Sequence, residues 1–512
     1  MKKALLFFLL FTYQKNCFSQ ELAYTNCNNC WNPDSLGNHR AVLELDSAGP
    51  YAKAVIDWRR RDRNPQSKRI IVEDAQTHQR IMNATSVTLN RESGEIYFEP
   101  VSGAGTYYVY YMPYKNEGRS NYPRGIYLKP DTTASPQWLR GLNGIKNMPV
   151  AKVKEMQSID SFNTFYPMEV IATKKETEKL IAANSASPFV VFPEDRLHSI
   201  RMKYDLPQRW IEKGPSDEFN DDALRGENFA FQLGVYALKD LDDVKINFTD
   251  LTSSSGNTIS AKNIFCINTG GIGYDGISFE KKLSIPQYTV QPVWCGINVP
   301  EDAASGIYSC TATLTAAGAS KEIRISLTVS NEIARNGGVD EPWKMTRLRW
   351  LNSVMAQQNT VIAPYTPLVV TGKTISLLGR KFIIGNDGLP GQVQTFFTPE
   401  MTSMTAKPNN ILAAPFQFIA ENFAGIEKWK NEGTVFTEKS PGTVKWSAVS
   451  TSPSFQMEVN ASLEFDGFVS YAVKIIAAKD ITVRDIRMEI PMTPASAKYM
   501  MGLGQKGGYR PE

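Results

Sequence analysis

Residues 463–492 read LEFDGFVSYAVKIIAAKDITVRDIRMEIPM, and residues 493–512 read TPASAKYMMGLGQKGGYRPE. The first part predicts three strands in quick succession, over 464–470, 471–478 and 481–490. In the last of these, Ile481, Val483, Asp485, Arg487 and Glu489 share one parity, and Thr482, Arg484, Ile486, Met488 and Ile490 share the other. A mostly apolar face that returns every second residue marks a strand lying in a sheet. The second part is glycine-rich, basic and aromatic. With little to bury, such a stretch has nothing to hold it at a domain end. It reads as a connection, with Glu512 expected to fall inside a longer protein.

The same cadence runs backwards through the chain. Residues 340–512 carry further strand-like runs at 360–362, 368–370, 373–378, 381–384, 393–397, 444–450 and 455–461. They are too many for one small sheet and predict a two-sheet β-supersandwich, with 414–422 as a short helix. Residues 188–335 are again strand-rich. The run Pro300-Glu301-Asp302-Ala303-Ala304-Ser305-Gly306-Ile307-Tyr308 leads from a loop into alternating threonine and aliphatic residues, the cadence of an immunoglobulin-like β-sandwich. Residues 146–187 predict a short helical connector. Within it 150–162 is weakly periodic, and Thr173 with Glu176 three residues later forms a capping-box pattern. Residues 21–145 show short apolar runs between turn signals, which predicts a first β-sandwich domain. The fold class is therefore mainly β, with tandem sandwiches followed by the supersandwich.

The N-terminus carries an address. Lys2-Lys3 precedes the apolar run 4–13, which at about ten residues suits a secretory signal peptide and is too short to span a bilayer. Cleavage is expected near residue 20, and Cys17 sits in a poor lipobox. No later run is long enough to span. The mature chain is expected to be secreted, periplasmic or on the cell surface.

Composition excludes some classes of function. Lys+Arg number 56 and Asp+Glu 52, and no long basic run interleaves with aromatics, so nothing asks for nucleic acid. The three histidines are scattered. Cys27 and Cys30 have metal-ligand spacing but lack a second pair, and structural zinc needs four ligands. A local disulfide is expected there instead. Cys266, Cys295 and Cys310 read as buried thiols, or as one disulfide plus one thiol. No metal and no cofactor is called for.

Candidate contact residues fall in three places. Tyr107, Tyr108, Tyr110 and Tyr111 lie in the most aromatic stretch of the chain. Tyrosine rings stack on sugars, and they also fill strand cores. Arg59, Arg60 and Arg61 offer forks for an acidic sugar or for carboxylates of a neighbouring domain. Glu464 and Asp466, two residues apart on one expected strand face, could converge on a glycan. The acidic run 217–222 could offer oxygens to calcium, but it reads more simply as a solvated loop. Gly502-Leu503-Gly504-Gln505-Lys506-Gly507 matches Gly-x-Gly-x-x-Gly without the strand–helix–strand unit that a dinucleotide site requires.

Three stretches resemble the N-terminal region of secreted proteins related to glycoside hydrolase family 123, of the kind found in Bacteroidetes-type bacteria. They are Asp57-Trp58-Arg59-Arg60-Arg61-Asp62, Arg347-Leu348-Arg349-Trp350-Leu351-Asn352-Ser353, and Lys498-Tyr499-Met500-Met501-Gly502-Leu503-Gly504-Gln505-Lys506-Gly507-Gly508. The resemblance implies β-sandwiches preceding a (β/α)₈ catalytic barrel that acts on N-acetyl-galactosaminides through an adjacent Asp-Glu pair. No barrel begins before Glu512, so no catalytic residue carries over to a position of this sequence. The expected function is that of the non-catalytic N-terminal part of an exported glycoside hydrolase, with a glycan or polysaccharide and its own C-terminal catalytic domain as partners. A stand-alone secreted carbohydrate-binding or adhesion protein is the alternative, and a hydrolase or lyase built on sandwiches alone is a third reading.

Overall fold

The structure, a computed structural model, describes residues 22–510 apart from 120, 146, 274, 275, 355–357 and 503. The expectations for the signal peptide and for Cys17 lie outside the described residues. The chain divides after Asn352 into two compact units. It is mainly β, as tandem sandwiches. Among the described residues no helix is long and apolar enough to cross a membrane.

The first unit opens with an eight-stranded sheet folded on itself. Its order is Ile70–Asp74, Gly105–Tyr111, His39–Leu45, Val150–Ser158, Ala52–Ile56, Gly94–Phe98 and Ala84–Leu89, with Ala23–Asn26 beside Val150–Ser158. Val150–Ser158 joins the two halves. Val150 and Ala151 pair in parallel with Lys53 and Ala54, and from Lys152 onward the strand pairs antiparallel with His39–Leu45, with a bulge between Val153 and Glu155. Leu43, Val72 and Val109 from one half meet Ala54, Ile96 and Phe98 from the other in a single core. This corrects the helical reading of 150–162. Burial alternates along Val150–Ser158, and the weak periodicity of the sequence was that of a strand with only one apolar face.

The helix expected after Thr173 is present as Lys174–Ala183, with both hydrogen bonds of the capping box. A second sandwich follows. A four-stranded sheet of Phe189–Glu194, Asn228–Ala237, Val290–Asn298 and Ile264–Cys266 faces a six-stranded one centred on Gly306–Ala316 and Ala319–Ile333. Phe229, Phe231 and Leu233 pack on Leu314, Ile325 and Leu327 between them. The acidic run 217–222 is not a loop. It lies mostly in Glu218–Arg225, which pairs in parallel with Ala319–Ile333 and turns Phe219 and Ala223 into the core.

The second unit sets a five-stranded sheet, Val369–Thr371 to Met404–Asn410, against a four-stranded one, Lys430–Lys439 to Val469–Ala477. Ile375, Phe382 and Ile384 meet Val444, Trp446 and Leu463. Residues 414–422, expected as a short helix, instead contribute the strand Gln417–Asn422, which pairs with Val483–Glu489. The partner lies more than sixty positions away in sequence, so no local pattern could announce it.

The stretch 463–492 also differs from its expected segmentation. Glu464 ends the strand Phe455–Glu464, and the next strand is Val469–Ala477. Between them Gly467 takes φ +96°, a conformation that favours glycine, and its N–H donates to Glu464 C=O at 2.9 Å. The result is a hairpin turn where a strand over 464–470 was expected. Near the chain's end, Tyr499–Gly502 and Gln505–Tyr509 form a two-stranded hairpin, which accounts for the glycine-rich motif as turn chemistry.

Candidate functional site

The tyrosine strand belongs to the core. Tyr107, Tyr110 and Tyr111 are almost fully buried. Tyr107 packs on Phe98 at 5.0 Å between ring centroids, and Tyr111 packs on Trp58 at 5.3 Å. Tyr108 is half-buried, and the Arg40 guanidinium covers its face at 3.6 Å. Three of the four rings are enclosed in the core, and on the fourth, Tyr108, Arg40 occupies a face.

The arginine run meets carboxylates of the chain itself. Arg59 grips Glu176 with two hydrogen bonds, at 2.7 and 2.9 Å. Arg60 pairs with Asp62 at 2.6 Å and lies over the Tyr111 ring, and Arg61 reaches Glu169 at 3.1 Å. The Arg59 fork and the N–H of Thr173 hold the Glu176 carboxyl far below its ordinary value, at about 2, against the opposing effect of burial. The Arg59 and Arg61 pairs fasten the first sandwich to the segment that follows it.

Glu464 and Asp466 do not share a strand face. Glu464 sits at a strand end and Asp466 in the hairpin turn, where its carboxylate accepts the Phe468 N–H at 2.8 Å and its carbonyl accepts from Arg380 at 3.0 Å.

Glu194, Asp195 and His198 bring three ligand-type atoms within 4.8 Å of one another. Their contacts are already taken. Glu194 accepts from Arg209 at 3.1 Å and from the Trp210 indole at 2.9 Å, and Asp195 holds His198 at 2.8 Å. The Arg209 guanidinium, 3.4 Å from His198 Nδ1, already supplies the positive charge that a metal ion would bring. The group works as an ion-pair network.

A groove in the first unit has different properties. It has a volume of about 900 Å³ and runs between the 90–92 turn, the helix Lys174–Ala183 and the loops holding Tyr204 and Tyr288. Tyr204 is 64% exposed and Tyr288 49% exposed, while Tyr236 is buried. Burial, with Tyr288 close by, pushes the Tyr236 hydroxyl above its usual value. Tyr288 is fixed at φ +57°, a conformation uncommon for a bulky residue, and its N–H donates to Ala237 C=O at 2.8 Å. Arg91 grips Asp205 at 2.9 and 2.6 Å on the rim. Lys203 Nζ stands 5.3 Å from the centre of the Tyr204 ring. Exposed aromatic rings beside charged groups suit a polyhydroxylated ring, which offers C–H faces and hydroxyls together. Sequence reasoning missed Tyr204 and Tyr288 because each stands alone in a polar loop, with no run or period to draw notice.

Three family models match the chain. The glycoside hydrolase 123 N-terminal domain matches residues 29–159, a second glycoside hydrolase 123 N-terminal domain model matches 272–316, and the glycoside hydrolase 123 third domain matches 368–512. Together they cover more than half of the chain. No curated protein matches. Among solved structures, a family 123 glycoside hydrolase from Clostridium perfringens aligns at 18% identity and a TM-score of 0.23, over 29% of this chain and 28% of that enzyme. The E. coli chaperone DraB aligns at 8% identity and a TM-score of 0.16, over 52% of this chain and 95% of the chaperone.

Proposed function

Because this is a glycoside hydrolase family 123-related protein, carrying that family's N-terminal and third domains, we propose that it is the non-catalytic β-sandwich part of an exported glycoside hydrolase. The family matches carry this reading, since each is to an N-terminal or third domain. In this role the sandwiches brace a catalytic domain and hold glycan near it, with the Tyr204–Tyr288 groove as the contact. The N-terminal apolar run after Lys2-Lys3 supports export.

Incubating the chain with aryl N-acetyl-galactosaminides tests the reading. It predicts no turnover by this chain. It also predicts that the coding sequence after Glu512 continues in frame with strand–helix alternation, and that the extended protein turns the substrate over. Turnover by residues 1–512 alone overturns the non-catalytic role. A stop codon at that point leaves the alternative, a stand-alone carbohydrate-binding or adhesion protein, which retains sugar in solution without hydrolysing it.

A further inference from the structure

The second sandwich holds three free thiols, Cys266, Cys295 and Cys310. Two of them are direct partners across a sheet. Ile264–Cys266 is the edge strand of its four-stranded sheet and pairs antiparallel with Val290–Asn298, so that Cys266 stands opposite Cys295. The next pair outward is Ile267 and Trp294, where the Ile267 N–H donates to Trp294 C=O at 3.0 Å. Hydrogen-bonded and non-hydrogen-bonded pairs alternate along an antiparallel ladder, so Cys266 and Cys295 form a non-hydrogen-bonded pair. Such pairs hold their Cα atoms about 4.5 Å apart, within the ~4.4–6.8 Å that a disulfide bridges.

The two thiols differ in a way that assigns them roles. Cys266 is half-buried on the edge strand, whereas Cys295 is 1% exposed. The Cys295 thiol lies 3.7 Å from Val293 C=O, and the same side chain hydrogen-bonds with the Cys266 sulfur. With donation from the N–H groups of Asn268 and Thr269, this lowers the Cys266 pKa to about 7 against the effect of burial. Burial pushes the Cys295 thiol up. Cys310, on the facing sheet, is buried and pushed up to about 12, and its cross-strand partner is Ile325. An accessible thiolate beside a buried thiol is the arrangement in which one sulfur reacts and the other resolves.

We propose that Cys266 and Cys295 form a reversible cross-strand disulfide by exchange with a low-molecular-weight disulfide, Cys266 reacting first and Cys295 resolving. The Cys266 thiolate attacks one sulfur of the small disulfide. That S–S bond breaks, a mixed disulfide forms on Cys266, and the departing thiolate takes up a proton. Cys295, losing its proton, attacks the Cys266 sulfur and expels the second small thiolate, which is protonated in turn. Two protein thiols lose two electrons and two protons, and the small disulfide becomes two thiols. The bond ties the edge strand to its neighbour.

Peptide mapping of the reduced full chain, equilibrated with oxidised glutathione and then alkylated, tests the proposal. The expected product is a Cys266–Cys295 linked peptide that dithiothreitol reverses. Cys295→Ser traps glutathione on Cys266, Cys266→Ser loses both adduct and link, and Cys310→Ser keeps the link at wild-type yield. Cys295→Ala serves as a second trapping variant should the serine at that buried position prevent folding. Stable glutathione on Cys266 in the unmutated chain, a Cys295–Cys310 link, or absence of any modification overturns the proposal. None of these outcomes depends on the glycan reading.

Discussion

Arg196 and Glu227 form an ion pair in which Glu227 is wholly enclosed and Arg196 nearly so. Glu227 also accepts the Leu224 N–H at 2.9 Å, and Lys344 approaches its other face at 3.9 Å while pairing with Glu341 at 2.7 Å. One carboxylate thus secures the short helical turns after Arg335 to the strand Asn228–Ala237 and its neighbours. Replacing Glu227 with alanine leaves two cations buried without their shared partner, at a cost of about 3–5 kcal/mol. Limited proteolysis is expected to cut within 335–352 at least tenfold faster in the variant, which corresponds to about 1.4 kcal/mol of local opening.

The Arg59–Glu176 fork makes stability depend on pH in a definite direction. The Glu176 pKa falls from 4.5 to about 2 on folding, so its contribution is complete above about 4.5. It is lost as pH falls from there through about 2, where the folded form also takes up the proton. Glu176→Gln is expected to lower stability at pH 7 by about 1–2 kcal/mol. The gap between variant and parent narrows across the interval from pH 4.5 to 2. Urea unfolding followed at several pH values reads both.

Close packing of Gly94 on Trp58 predicts a second sensitive point. A methyl group at Gly94 would meet the Trp58 ring at 2.2 Å, and the Trp58 indole is held by its hydrogen bond to Asn90 C=O at 2.9 Å. Gly94→Ala is expected to cost about 1–3 kcal/mol through overpacking. Gly105→Ala, where no atom lies near the added carbon, tests the strain of φ +149° by itself. Thermal melting of the two variants separates the effects.

In the groove, Tyr204→Ala and Tyr288→Ala are each expected to weaken glycan retention about tenfold, near 1.4 kcal/mol. Tyr204→Ala leaves the melting temperature unchanged because its ring is mostly in solvent. Tyr107→Ala does the opposite. It destabilises the first sandwich by about 3–5 kcal/mol and has no separate effect on binding by chains that remain folded. Calorimetric titration with oligosaccharides, paired with melting curves, distinguishes the two classes.

The strand content of this chain was legible because alternation is local, and the helix at Lys174–Ala183 because Thr173 and Glu176 sign its start. What could not be read depended on distant partners. Gln417–Asn422 becomes a strand through Val483–Glu489, and Tyr107, Tyr110 and Tyr111 become core in a strand that two earlier ones, His39–Leu45 and Ile70–Asp74, flank on either side. Glu464 and Asp466 were parted by the turn at Gly467, just after them, which replaced the expected strand continuation. The groove tyrosines carried no pattern at all, since exposure is a property of the folded surface.

The position of Val150–Ser158 has a consequence for the order of assembly. Among the described residues this strand alone pairs with both halves of the first sheet, yet it lies some forty residues after Gly105–Tyr111 in the chain. A growing polypeptide that has reached only residue 149 holds two half-sheets, each with an open edge where this strand belongs. Open edges invite pairing with other chains, and distant pairings close slowly. The first sandwich is therefore completed late, by its last strand, and a chain interrupted before it is the form most exposed to aggregation.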